Sequence, residues 1–87
     1  MDLQEARLAI DEVNSQLVPL IERRMDAVIH VTQYKREHDL PVYDARREEI
    51  VLDKVGAMVE NPDYAPYVKK VFQAIMDVAK EYEEEHL

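Results

Sequence analysis

The chain has 87 residues, a net charge of −8, 47% hydrophobic and 34% charged residues, one glycine and no cysteine. The hydrophobic content argues against a disordered chain, and the missing cysteines and scarce glycine exclude a disulfide framework, a thiolate metal site and a glycine-rich phosphate loop. The negative charge argues against nucleic acid or an anionic membrane as a partner.

Proline-containing turns divide the sequence into three segments, which we assign to a single domain, residues 1–87. The turns are "HDLPVYD" and "ENPDYAP". Between them, apolar residues recur with a period of about 3.6 residues rather than 2. This pattern predicts an all-α fold of three helices, one long and two shorter, with no strands.

The first predicted helix runs from about Leu3 to about Glu37, with Asp2 as its N-cap. At 1.5 Å per residue, it would be roughly 50 Å long. Pro19 would either break this helix or kink it. The apolar residues keep the same helical phase on both sides of Pro19, which favours one kinked helix.

Two cations lie within the apolar stripe of this helix. At about 100° per residue, Lys35 lies about 20° from Arg24, in line with Val28 and Val31. Arg7 lies about 100° away, on a flanking apolar edge. Each cation could extend along apolar surface and keep its charge in water. If the cations are buried, they predict a counter-ion from the protein or an anionic ligand, because an unpaired buried charge is costly.

The second predicted helix runs from about Ala45 to about Val59, and Asp44 is its natural N-cap. Arg47 and Glu48 each precede an apolar residue by four positions. They therefore lie one turn above the apolar face, either as a solvated first turn or as part of a site.

The third predicted helix starts near Asp63 or Tyr64 and continues to about Glu84, with Pro66 tolerated in its first turn. Glu83 falls within about 20° of the centre of its apolar face. This acid either lies beyond the packed part of the helix or faces a site.

The length of the first helix predicts self-association. A helix of roughly 50 Å is longer than a compact domain of this size is wide. A three-helix monomer would leave much of the apolar stripe in water, and small chains have thin cores. We therefore expect a homodimer in which the long helices pack side by side.

A pocket between the helices, lined by Arg24, Lys35 and Arg47, would suit a small molecule with more than one carboxylate. Arginine is the usual residue for bidentate contact with a carboxylate. Glu83 could neutralise only one of these cations. The three histidines share no ligand-like spacing, so we expect no metal site.

The segment "ARLAIDEVNSQLVPLIERRMDAVIHVTQYKREHDLPVYDARREEIVLDKV" resembles the all-helical (AroQ) class of chorismate mutases. Its most specific features are Arg7 followed by "IDEV", "ERR" ending at Arg24, "YK" ending at Lys35, and "LPVYDARREE". The 17 residues from Arg7 to Arg24 and the 11 from Arg24 to Lys35 fit the family without gaps. The resemblance implies an intertwined homodimer. It also implies the Claisen rearrangement of chorismate to prephenate in phenylalanine and tyrosine biosynthesis, with no cofactor.

The resemblance implies three catalytic residues and a shared site. Arg24 should bind a substrate carboxylate, and Arg7 should do the same from the partner protomer. Lys35 should donate to the ether oxygen and to a carboxylate. Glu83 occupies the position where the family carries Gln or Glu facing the ether oxygen.

Four further residues are implied at the substrate. Arg47 should help to hold the ring carboxylate, and Asp44 and Glu48 should contact the ring hydroxyl. Ala79 stands where many members of the family have Ser, which removes one expected polar contact.

Two other functions remain open. "RRMD" at 23–26 is reminiscent of isochorismate pyruvate lyase, which uses the same scaffold, although "YDARRE" matches the mutases better. A non-catalytic helical dimerisation module is the second, and the charges within the apolar stripes count against it. We find no signal peptide and no apolar run near the roughly 20 residues of a membrane span, so we expect a cytoplasmic protein. A shikimate-pathway enzyme is a candidate partner.

Overall fold

The computed structural model describes residues 1–86 and confirms the prediction of three helices. The helices are α1 (Leu3–Glu37), α2 (Ala45–Met58) and α3 (Ala65–His86), with a 3₁₀ turn at Pro62–Tyr64 before α3. No strand occurs in this part of the chain.

Helix α1 is continuous through Pro19, so the alternative of two separate helices is wrong. The carboxylate of Asp2 accepts a hydrogen bond of 2.8 Å from the backbone N–H of Glu5, which caps the first turn as predicted. After His38 the chain turns sharply, with Asp39 in the left-handed region at φ 53°. The backbone N–H of Leu40 donates to the carbonyl of Lys35 at 2.7 Å and closes this turn.

Side-chain caps also precede α2 and the 3₁₀ turn before α3. Asp44 accepts a hydrogen bond of 3.0 Å from the backbone N–H of Arg47, as predicted. Helix α3 starts later than predicted, because Asn61 accepts from the backbone N–H of Asp63 at 3.0 Å and nucleates the 3₁₀ turn first. Pro66 lies in the first turn of α3, where its missing N–H costs nothing.

The protomer is elongated and thinly packed. It measures 53 × 25 × 16 Å, and its radius of gyration is 15.8 Å, against about 12 Å for a compact chain of this length. Helix α3 packs mainly on α2 and less extensively on α1. The buried hydrophobic residues are Val55, Met76 and Ala79. Val55 lies on α2, and Met76 and Ala79 lie in the C-terminal half of α3.

The N-terminal half of α1 presents apolar side chains that the protomer leaves uncovered. The molecule exposes 7074 Å², against about 5300 Å² expected for a monomeric globular protein of its mass. The large aliphatic residues of α1 that are exposed are Leu3, Leu8, Ile10, Val13, Leu17, Val18, Leu20, Ile21 and Val31, all but the last in its N-terminal part. Across residues 1–86, no helix is both long enough and apolar enough to cross a lipid bilayer.

Candidate active site

A cleft of about 290 Å³ lies between the C-terminal half of α1, the turn after it, the start of α2 and the C-terminal half of α3. Its wall carries both apolar and charged side chains. The structure brings together seven of the eight residues predicted for the site: Arg24, Lys35, Asp44, Arg47, Glu48, Ala79 and Glu83.

The wall formed by α1 carries two cations separated by apolar residues. Arg24 and Lys35 are both half-buried, and Val28 and Val31 lie between them. Eleven residues of helix separate the two cations by about 16 Å along the axis. The cleft can therefore contact an anionic group at each end and an apolar group in the middle.

Lys35 also fixes the loop that closes one end of the cleft. Its Nζ donates a hydrogen bond of 2.8 Å to the backbone carbonyl of Val42, which itself lines the cleft. An ammonium group has three hydrogens, so two remain for a ligand. No pattern in the sequence predicted this tether.

The start of α2 contributes a third cation. Arg47 lies in the first turn of α2 and lines the cleft. Its backbone N–H donates to the Asp44 carboxylate, so this hydrogen bond does not occupy the guanidinium group. Among residues 1–86, the ion pairs are those of Lys80, and none involves Arg24, Lys35 or Arg47. The chemistry that these three cations favour is that of a ligand with more than one carboxylate.

Glu48 lies within a polar network that joins α2 to α3. Lys80 Nζ lies 2.8 Å from Glu48 Oε2 and 3.3 Å from Asp77 Oδ1. The amide of Gln73 donates to Glu48 Oε1 at 3.1 Å and to Asp77 Oδ1 at 3.0 Å. The Lys80 hydrogen bond lowers the pKa of Glu48, while the Glu48 hydrogen bond raises the pKa of Lys80.

Sequence reasoning missed Lys80, although it lines the cleft. It follows Ala79 directly and lies three residues before Glu83, at the edge of the apolar face of α3. This position could have indicated a residue of the cleft, but a lysine at the edge of an apolar helix face usually extends its charge into water.

Glu83 is the most unusual polar residue of the cleft. It is 8% exposed, and its Oε2 has no hydrogen-bond partner among the described residues. Ala79, one turn earlier on the same face, is 3% exposed and adds no polar group. A buried oxygen without a partner is costly, so a hydrogen-bond donor on a ligand in the cleft would stabilise this carboxyl group.

Arg7 is the one predicted site residue that does not line the cleft. It is exposed on α1, and 17 residues of continuous helix place it about 25 Å along the axis from Arg24. One protomer therefore cannot bring both arginines to the same ligand. Over residues 1–86, we find no cluster of three or more side chains suited to hold a metal ion.

The sequence and the fold of this chain are both similar to those of known proteins. A family model described as chorismate mutase type II matches residues 6–84. The chorismate mutase of Methanocaldococcus jannaschii is 24% identical over 86 residues, which span 98% of this chain and 87% of that protein. The solved structure of chorismate mutase (form II) from Thermus thermophilus has a TM-score of 0.87 and 28% identity. That likeness covers 97% of this chain and 96% of the other.

A longer relative also matches. The bifunctional chorismate mutase/prephenate dehydratase of Buchnera aphidicola subsp. Schizaphis graminum is 27% identical over 77 residues. The match covers 87% of this chain and only 20% of that protein.

Proposed function

The chain belongs to the type II chorismate mutase family and is an isomerase of that type, as its sequence resemblance predicted, and on this premise we propose that its cleft catalyses the Claisen rearrangement of chorismate to prephenate. In our proposal the protein is a homodimer whose sites are shared between protomers. This reaction would place the protein in the biosynthesis of phenylalanine and tyrosine.

The observation that carries the proposal is the set of three cations, Arg24, Lys35 and Arg47, which face one cleft outside any ion pair of the described chain. Chorismate has two carboxylates, an ether oxygen and a ring hydroxyl. Its carboxylates would neutralise cations that the protein itself leaves without counter-ions. The cleft volume of about 290 Å³ is at the small end of ligand sites, which suits a compact molecule.

The rearrangement is unimolecular, so the protein needs neither a nucleophile nor a general base. In our proposal, Arg24 and Arg47 hold the carboxylates and keep the substrate in its compact, reactive shape. Lys35 donates one of its two remaining Nζ hydrogens to the ether oxygen, where negative charge develops as the C–O bond breaks.

Glu83 would provide a second donor to the ether oxygen. Its unpartnered Oε2 is the buried carboxyl oxygen of the cleft, which supports this role. A carboxyl group donates a hydrogen bond only in its neutral form. Asp44 and Glu48 would accept the hydrogen bond of the ring hydroxyl, while Ala79 contributes only apolar surface.

The uncovered face of α1 supports the homodimer. The excess exposed surface is about 1800 Å² per protomer, and obligate homodimer interfaces bury roughly 2000 Å² or more in total. An antiparallel pairing of two α1 helices would place the N-terminal half of one beside the C-terminal half of the other. Arg7 of each protomer would then reach the partner's cleft, which the separation of about 25 Å forbids within one chain.

The direct test is turnover by the purified protein. Loss of the ultraviolet absorbance of chorismate, with prephenate identified as the product, would support the proposal. Conversion of isochorismate to salicylate and pyruvate instead would assign the lyase reaction. A stable dimer that converts neither substrate would overturn the proposal in favour of a dimerisation module.

Replacing Glu83 with Ala should lower kcat by about 10²-fold, because it removes the proposed donor to the ether oxygen. Glu83→Gln keeps an amide donor at the same position and should retain more turnover than Glu83→Ala. Glu84→Gln, exposed on the same helix, is the control and should match the wild type. Steady-state kinetics with chorismate measures the three variants. A Glu83→Ala variant with the kcat of the wild type would remove the donor role.

Mixing two inactive variants should restore activity if sites are shared. After complete subunit exchange between Arg7→Ala and Arg24→Ala dimers, half of the dimers are mixed and each has one intact site. The expected activity is therefore about a quarter of the wild-type value. If Arg7 served the cleft of its own chain, each site in a mixed dimer would carry one lesion. Activity would then stay at the level of the parent variants.

A further inference from the structure

Lys80 has contacts on three sides, and no role in the proposed reaction accounts for them. Its Nζ lies 2.8 Å from Glu48 on α2 and 3.3 Å from Asp77 on its own helix. It also lies 4.5 Å from the centre of the Tyr43 ring, in the loop that borders the cleft. The side chain is 22% exposed, so these contacts are only partly screened by water.

Gln73 is the second residue of α3 that donates a hydrogen bond to Glu48. Its amide donates to Oε1, while Lys80 occupies Oε2, so each carboxylate oxygen of Glu48 has one donor from α3. A carboxylate has about four acceptor positions in all. About two are therefore left, and Glu48 remains able to accept a hydrogen bond from a ligand in the cleft that it lines.

We propose that Lys80 is a positioning residue for the rearrangement: it holds Glu48 ionised and in one orientation as the acceptor for the ring hydroxyl, and it secures Tyr43 beside the cleft. This inference rests on the proposed function, and it assigns Lys80 no contact with the substrate. The Glu48 carboxylate, on the first turn of α2, would thereby keep one orientation in the wall of the cleft.

The pKa of Glu48 depends mainly on its contact with Lys80. The hydrogen bond from Lys80 is the strongest influence and lowers the pKa of Glu48, while burial and, to a smaller extent, the charge of Asp77 oppose it. With a lowered pKa, Glu48 stays an acceptor as pH falls below the ordinary range of a glutamate. A shallow groove beside the cleft shares Glu48 and Lys80 with it. The other charged or titratable groups that border the cleft or this groove are Arg24 and Lys35 on α1, Tyr43 and Asp44 in the loop, Arg47 on α2, and Glu81, Glu83 and Glu84 on α3.

The test compares Lys80→Met, which keeps the length of the side chain without its charge, with Lys80→Arg, which keeps the charge. Lys54→Met, exposed on α2 and outside the cleft, is the matched control. For each protein, kcat and KM for chorismate are measured as a function of pH. The Glu48 carboxyl is titrated separately by carbon NMR, using Glu48→Gln to assign its signal.

Lys80→Met should raise KM by about tenfold at neutral pH, because the hydroxyl acceptor is no longer held in place. The acid limb of its kcat/KM profile, and the Glu48 titration, should both move to higher pH. Lys80→Arg should restore both, and Lys54→Met should change neither. A purely structural role for Lys80 would lower thermal stability without moving the acid limb.

The outcomes separate this inference from the proposed function. A wild type that converts chorismate, with Lys80→Met unchanged in KM, acid limb and Glu48 titration, would overturn the role of Lys80 alone. A folded wild type that does not convert chorismate would overturn the reaction, and the positioning role in it would fall as well.

Discussion

Replacing Arg24 with Ala should lower kcat/KM for chorismate by about 10²–10³-fold. Truncating one partner of a desolvated charge pair costs about 2–5 kcal/mol, and each 1.36 kcal/mol is about a factor of ten in rate. Arg24 is half-buried in the cleft wall and has no counter-ion within the described chain, so its proposed partner is the substrate. Steady-state kinetics with chorismate measures the loss.

Two further variants show whether the loss comes from the guanidinium group itself. Arg24→Lys keeps the charge but not the bidentate geometry, so its kcat/KM should lie between those of the wild type and the Ala variant. Arg23→Ala removes an exposed arginine one residue away, and it should leave kinetics close to wild type. An Arg24→Ala variant that retained most of its kcat/KM would contradict the proposed role in carboxylate binding.

Replacing Leu17 with Asp should dissociate the proposed homodimer and abolish most of the activity. Leu17 is 46% exposed in the protomer and lies in the uncovered apolar face of α1. Burying an unpaired carboxylate in a dimer interface costs several kcal/mol. Sedimentation or light scattering should detect a smaller species. Circular dichroism should show a loss of helix, because the thin core of one protomer gives α1 little support.

Ser15→Asp provides the matched control. Ser15 is exposed, and it lies about 160° around α1 from Leu17, on the opposite side of the helix. The same new charge in the same helix should leave the dimer intact at this position. A Leu17→Asp protein that remained dimeric and active would show that this part of α1 is not the interface.

The starts of α1 and α2 were predictable because they depend on local chemistry. Asp2 and Asp44 were assigned as caps from their position before helix-forming residues, and each accepts the expected backbone N–H. The continuity of α1 through Pro19 followed from the phase of its apolar residues. The cations of the cleft could be found because their charge interrupts that same pattern.

The features that the sequence did not predict depend on how helices align, on the path of a loop, or on which of two turn types forms. The bond between Lys80 and Glu48 joins residues on different helices, and no periodicity within α2 or α3 specifies how those helices align. The tether from Lys35 to Val42 depends on the path of the turn after α1. The late start of α3 reflects competition between a 3₁₀ turn and an α-helical turn over the same few residues.

The tether between Lys35 and the loop ends on a main-chain oxygen rather than on a side chain. A carbonyl is supplied by every amino acid, so mutational drift at position 42 can alter the lining of the cleft without releasing the loop. The side chain at residue 42 can therefore change during evolution and alter the shape of the cleft. The tether itself requires a long cationic side chain only at Lys35.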